Sequence, residues 1–388
     1  MSEHWSEQVL RDSVKDARRV VVKVGSSSLS SVSGGLDMSR ITQLVIELAQ
    51  IHRSGRDVVL ISSGAIATGL APLKLKKRPK DLAHQQAAAA VGQGLLMQHY
   101  AELFAAHGIL AGQVLLTVED LTRHDSYNNA LRTLGTLLQM GVVPVINEND
   151  TVATHEIRFG DNDRIAALIA QLTRADALIL LTDVPGLYTA HPDEPGAEKI
   201  TFVEDVENLD ADTSRLGSAV GSGGMKSKVQ AAKIASSAGI PVVMTNWQQL
   251  GPAARGEEVG TVFAPIDKRR PRRLLWLAYA SSSQGKLYLD AGAQRAVVSA
   301  NASLLPAGLT RVEGNFEAGD PVDLCDQQGT SIARGIVSYS SDELPKMIGK
   351  HTVELAESMG HEYDRAVVHR DMLIVLHAGT GSIGDKVN

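Results

Sequence analysis

From Arg18 to about Thr261, short runs of β-branched and aliphatic residues alternate with longer stretches whose apolar positions recur every three to four residues. The short runs at Val20–Val24, Val58–Ile61, Gln113–Leu116, Val142–Ile146, Ala177–Leu181 and Pro241–Met244 read as strands. Between them, Ile41, Leu44, Val45, Leu48 and Ile51 share one face of a helix, and Ile165, Leu168, Ile169 and Leu172 share another. Strands interleaved with helices predict an α/β unit with a mostly parallel sheet. From Gly285 the pattern changes. Alternating segments at Lys286–Leu289, Leu309–Val312, Pro321–Leu324 and Ile332–Tyr339 are separated by glycine turns, as in a small β-barrel. The expected organisation is one unit over 1–267, a linker over 268–284 and a second unit over 285–388.

Composition narrows the class. A chain of 388 residues exceeds one average domain, and 44% hydrophobic with 21% charged residues is ordinary for a globular protein in water. The net charge of −6 argues against nucleic-acid binding by the chain as a whole. The single cysteine, Cys325, rules out an internal disulfide. No apolar run reaches the length of a membrane span and the first residues lack the order of a signal peptide, so the expected location is cytoplasmic, with no membrane partner.

Candidate chemistry lies at the ends of the predicted strands, where open α/β sheets hold ligands. The segment Gly221–Lys228 reads Gly-Ser-Gly-Gly-Met-Lys-Ser-Lys and runs into an Ala-rich helical pattern from Val229. Glycines let a backbone approach a phosphate closely, a helix start aims unpaired N–H groups at it, and Lys226 and Lys228 add charge. The first strand carries Lys23 and ends in Gly25-Ser26-Ser27-Ser28, a second lysine-plus-glycine element. Two such elements gripping one nucleoside triphosphate point to phosphoryl transfer. Ser62–Gly69 is either an anion-binding turn or a plain strand-to-helix turn. Asn147-Glu148-Asn149-Asp150 places two carboxylates after a buried strand, where they need a cationic partner; Asp150 is a candidate for a substrate ammonium, or a helix cap. In Gly160-Asp161-Asn162-Asp163, before a helix expected from Arg164, one aspartate reads as the N-cap. Thr182-Asp183 precedes a Pro185-Gly186 turn where a nucleotide would lie. A G-x-x-x-x-G-K-S/T loop and a complete dinucleotide fingerprint are both missing, which excludes two common nucleotide-binding classes. The histidines and the cysteine show no metal-ligand spacing. His369-Arg370-Asp371 mimics a protein-kinase loop, but Leu376 stands where its asparagine belongs.

In order, Val21–Ser27, Ser62–Ala67, Gln93, Val143–Asp150, Gly160–Asp163, Leu181–Asp183 and Ser222–Lys228 resemble the glutamate 5-kinases of the amino-acid kinase superfamily. Gly314-Asn315-Phe316, Gly335-Ile336-Val337 and Tyr339-Ser340-Ser341 resemble the PUA domain often appended to them, and the resemblance spans about 18–375. It implies an αβα sandwich, ATP with Mg²⁺, and transfer to the side-chain carboxylate of L-glutamate as the first step of proline biosynthesis. By the same resemblance, Ser63, Asp150 and Asn162 would bind glutamate. Lys23, Thr182, Asp183 and the segment Ser222, Gly223, Gly224, Met225, Lys226, Ser227 and Lys228 would bind ATP. Lys23 and Lys228 would flank the phosphoryl group while Asp163 holds them, with no protein-held metal. The family's Thr-Gly-Gly-Met-x-Thr-Lys is here Ser-Gly-Gly-Met-Lys-Ser-Lys, which keeps both hydroxyls, and Pro185 stands where the family often has a polar residue. The resemblance further implies feedback inhibition by proline, a homodimer or homotetramer, and handover of the acyl phosphate to glutamate-5-semialdehyde dehydrogenase. Acetylglutamate kinase, aspartokinase, carbamate kinase and uridylate kinase share the lysine–glycine logic. The basic run Lys268–Arg273 fits either RNA binding beside the PUA-like tail or a solvated linker, and the tail itself reads as RNA-binding, regulatory or assembly-related.

Overall fold

The structure is a computed structural model that describes residues 5–30, 35–152, 161–190, 192–206, 209, 224–266, 277, 283–300, 302–360 and 363–376. The chain divides into two compact units, Met1–Leu121 with Asp125–Arg269, and Thr122–His124 with Arg270–Asn388. The expected linker, 268–284, lies outside the described residues apart from 277, 283 and 284.

The first unit is built on β1 (Arg19–Val24), β2 (Asp57–Ser62), β3 (Ala111–Leu116), β4 (Val143–Glu148) and β5 (Ala177–Thr182). The short β6 (Leu187–Tyr188) and β7 (Lys199–Ile200) pair with each other, and β8 (Phe202–Val203), β9 (Val242–Asn246) and β10 (Thr261–Phe263) complete the main sheet. Its order is β3-β4-β2-β1-β5-β9-β10-β8, parallel throughout except where β10 meets β9. In β1 every residue after Arg19 is buried, and β2, β4 and β5 are nearly as dry, because helices cover both faces of the sheet. The chain leaves β1 toward β2 on one side and returns as β5 on the other. In open α/β sheets such a reversal is where ligands bind, beyond the carboxyl ends of the strands.

Helix Met38–Arg53 begins where the Asp37 side chain accepts from the N–H groups of Ser39 and Arg40, and it buries Ile41, Leu44, Val45, Leu48 and Ile51. Two further helices depart from the sequence reading. The helix expected from Arg164 starts at Asp161 and runs to Thr173, so Asp161 and Asp163 occupy its first turn, where carboxylates favour the positive end of the helix, rather than one of them capping it. The helix expected from Val229 spans Gly224–Ser237, which moves Lys226 from a loop into its first turn and Lys228 to the turn that follows. β4 also continues through Asn147 and Glu148, which pair in register with Leu115 and Leu116 of β3 and so lie on the sheet, not after it.

Helices Ala65–Leu70 and Leu82–Ala106 are locked together by two glycines. A Cβ on Gly92 would strike the carbonyl oxygen of Ala65, and one on Gly69 would strike that of Ala88. Ala65, Ile66, Ala88 and Ala89 form the dry contact between them.

The second unit holds β11 (Gly285–Leu289), β12 (Leu309–Gly314), β13 (Pro321–Cys325), β14 (Ser331–Val337) and β15 (Val368–Val375) in one mixed sheet, ordered β12-β11-β13-β14-β15. It has its own core, which includes Leu287, Leu289, Phe316, Val322, Leu324, Tyr339 and Leu355. The kinase-like triplet His369–Asp371 is part of β15, an ordinary strand. No helix among the described residues is long and apolar enough to cross a membrane.

Candidate active site

Lys23, next to last in β1, is only 4% exposed, so folding must supply a counter-charge for its ammonium. Asp163 supplies it: Lys23 Nζ lies 2.6 Å from Asp163 Oδ1. The other oxygen, Oδ2, is 3.3 Å from Lys228 Nζ and accepts a 2.7 Å hydrogen bond from Ser227 Oγ. Lys228 Nζ also donates to the Gly224 carbonyl at 3.2 Å, within its own helix turn. A carboxylate 1% exposed thus joins two ammonium groups that are far apart in sequence. Burial pushes the Asp163 carboxyl up, but Lys23, then Lys228 and the hydrogen bonds, outweigh it and leave it below the usual carboxylate range. Burial dominates at Lys23, aided by the nearby Lys228 charge, and draws its ammonium below the usual lysine range despite Asp163.

A second cluster forms at the carboxyl ends of β2 and β4. Asn162 Nδ2 donates to Ser63 Oγ at 3.1 Å and to Asn147 Oδ1 at 3.0 Å. Asn147, 2% exposed, receives the backbone N–H of Glu148 on the same oxygen at 2.9 Å, and its Nδ2 donates to Gln93 Oε1 at 2.7 Å. Beside this network, burial pushes the Glu148 carboxyl up to about 8, helped by Asp161 and Asp150. Burial also raises Asp150; the Arg78 guanidinium draws it back and Asp161 adds to the rise, leaving it at about 6. The site is therefore short of positive charge among its carboxylates, and a bound cation would relieve it.

At the end of β5, Thr182 is half-buried and Asp183 is exposed; Asp183 Oδ1 accepts from Ser28 Oγ at 2.9 Å and its carbonyl from Asn246 Nδ2 at 3.0 Å. Gly224, Met225, Lys226 and Ser227 open the helix that carries Lys228, with Lys226 exposed. Ser222 and Gly223 lie outside the described residues.

The structure thus brings Lys23, Asp163, Ser227 and Lys228 together as one group and Ser63 and Asn162 as a second. Asp150 is coupled to the second group through Asp161, one residue before Asn162. Asp183 joins the first only at longer range, through its charge on Lys23. Sequence reasoning passed over Arg78 and Asn246, and named Asn147, Gln93 and Ser28 only as members of their segments, with no individual role. Asn246 carried a usable signal, because it ends a parallel strand as Ser62 and Thr182 do.

Among the described residues no group of three acidic, histidine or cysteine side chains is arranged to hold a metal ion. Both oxygens of Asp163 already face lysines. A divalent cation arriving with a phosphate ligand would therefore have to take most of its oxygens from that ligand and water.

Comparison with known proteins agrees with this layout. A model of the amino acid kinase family matches residues 18–246, and one of the PUA domain matches residues 285–359. A glutamate 5-kinase of Streptomyces coelicolor is 54% identical over 369 residues, covering 95% of this chain and 99% of that protein. One from Thermobifida fusca is 54% identical over 380 residues, covering 96% and 97%. One from Bifidobacterium animalis subsp. lactis is 50% identical over 374 residues, covering 96% and 99%. Matched along nearly its whole length, the chain belongs to the amino acid kinase family and, within it, to the glutamate 5-kinases.

Proposed function

We propose that the chain transfers the γ-phosphoryl group of MgATP to the side-chain carboxylate of L-glutamate, giving L-glutamyl 5-phosphate and ADP at the head of proline biosynthesis. The observation that carries this reading is the shared carboxylate: Asp163 binds Lys23 at 2.6 Å and Lys228 at 3.3 Å near the end of β1, where the strand order reverses.

A carboxylate oxygen of glutamate attacks the γ-phosphorus, the bond from that phosphorus to the β,γ-bridging oxygen breaks, and the electron pair leaves on ADP. The nucleophile is already ionised at neutral pH, so no general base is needed. Asp163, enclosed and paired on both oxygens, is not placed to act as one. The obstacle is bringing an anion onto a polyanion and stabilising charge on the equatorial and leaving oxygens, which is the work of position and fixed positive charge. Lys23 approaches from the sheet and Lys228 from a helix start, where backbone N–H groups add to the field. Ser63, Asn162 and Asp150 hold the amino acid. Thr182, Asp183 and the segment from Ser222 through Gly223 and Gly224 to Lys228 hold the nucleotide.

Lys228→Ala tests this assignment. Turnover is expected to fall about 100-fold or more, with the thermal unfolding profile kept, because one preorganised charge on the transition state is lost. Near-parental turnover would remove Lys228 from the chemistry. Within the same proposal, proline competes for the glutamate pocket as a feedback inhibitor, the chain assembles as a homodimer or homotetramer, and the labile product passes to glutamate-5-semialdehyde dehydrogenase.

A further inference from the structure

Asn162 Oδ1 is a buried acceptor without a hydrogen-bond partner among the described residues. A buried polar atom left unpaired costs about 1–3 kcal/mol, so its persistence at a substrate site calls for an explanation. The explanation starts from the backbone. The Glu148 N–H can only donate, and it donates to Asn147 Oδ1 at 2.9 Å. Asn147 is thereby oriented with its oxygen toward Glu148 and its Nδ2 away, toward Gln93. The same oxygen accepts from Asn162 Nδ2 at 3.0 Å, and that NH₂ group also reaches Ser63 Oγ at 3.1 Å. Asn162 is left with no donor to spare and one free oxygen. A free acceptor beside carboxylates short of a cation recognises an N–H donor, and an ammonium group best.

We propose that Gln93 is a positioning residue for recognition of the amino-acid substrate, acting through Asn147 to hold Asn162 Oδ1 as the acceptor for the α-ammonium group. Gln93 Oε1 accepts from Asn147 Nδ2 at 2.7 Å and so holds the amide in this register. Its location suits the task. Gln93 follows Gly92, the residue at which helix Leu82–Ala106 meets helix Ala65–Leu70, and the latter begins two residues after Ser63. One helix pair therefore sets the positions of both ends of the chain Gln93–Asn147–Asn162–Ser63. The polarity matters as much as the contact: the residue at position 93 must accept.

This inference rests on glutamate being the substrate. The test compares Gln93→Met, which keeps length but cannot accept strongly, with Gln93→Glu, which accepts but cannot donate. Steady-state kinetics with the full chain are measured against both glutamate and MgATP, with melting curves for each variant. Gln93→Met should raise KM for glutamate about tenfold while kcat and KM for MgATP stay within about twofold, the pattern of lost ground-state binding at one substrate. Gln93→Glu should recover most of the affinity for glutamate that the Met variant loses. An unchanged KM for glutamate in Gln93→Met, an equal loss in both variants, or a parallel rise in KM for MgATP would each overturn the proposal. If Gln93→Met does not fold, Gln93→Ala, which suits a helix, takes its place with the same outcomes. Failure of the parent chain to phosphorylate glutamate at all would sink the substrate reading, a result visible before any variant is compared.

Discussion

Asp163 is the residue on which both ends of the proposed reaction depend, because it sits between two ammonium groups with 1% exposure. Removing it as Asp163→Ala leaves two enclosed lysines without a counter-charge. Denaturant unfolding should show a loss of about 3–5 kcal/mol, and an unchanged midpoint would mean that the pair is hydrated rather than enclosed. Asp150 makes a different prediction. Its carboxyl, raised to about 6, holds an ammonium only when ionised, so kcat/KM for glutamate should fall as pH drops through that value. Arg78 lowers that carboxyl, so Arg78→Gln should move the acid limb to higher pH, a shift read from a pH profile. A limb that stays in place would separate Arg78 from the site.

At the scale of elements, the glycine contact between helices Ala65–Leu70 and Leu82–Ala106 carries the amino-acid side of the site. Gly92→Ala would force a methyl against the Ala65 carbonyl, so the melting temperature should drop by the equivalent of about 1–3 kcal/mol. KM for glutamate should rise with it, because Ser63 leads into one of these helices and Gln93 lies on the other. Stability and KM both unchanged would show that the pair has slack. The central strands of the catalytic unit are legible because a buried parallel strand is almost wholly apolar, as Val20–Val24 is apart from Lys23 and as Ala177–Leu181 is throughout; the short β6, β7, β8 and β10 leave too few residues for such a pattern. Their ends were less so: Asn147 and Glu148 remain in β4 because pairing with β3 outweighs their polarity. Helix starts at Asp161 and Gly224 were placed three and five residues too late, since acidic and glycine residues read as caps and loops while charge at a helix end suits them equally well. β15 passed without notice because its middle, His369-Arg370-Asp371, is exposed and polar. The two lysines are legible from residue types, whereas Asp163 between them follows only from the family resemblance. The amide chain through Gln93 is not legible, because partners 54 and 15 residues apart leave no periodic trace.

For the whole molecule, every residue assigned to substrate or nucleotide lies before residue 229, and the second unit closes around a core of its own. Deleting 285–388 should therefore leave glutamate-dependent turnover of the same order while altering regulation or assembly, as kinetics with and without proline and a sizing experiment would register. Loss of all turnover in a folded truncation would make the PUA domain part of the catalytic apparatus. The acceptor decides the account more directly than any deletion. ADP release by the intact chain with MgATP should be measured against glutamate, aspartate, acetylglutamate, carbamate and UMP in turn. The structure-based reading predicts release with glutamate alone; release with UMP or aspartate and none with glutamate would contradict it.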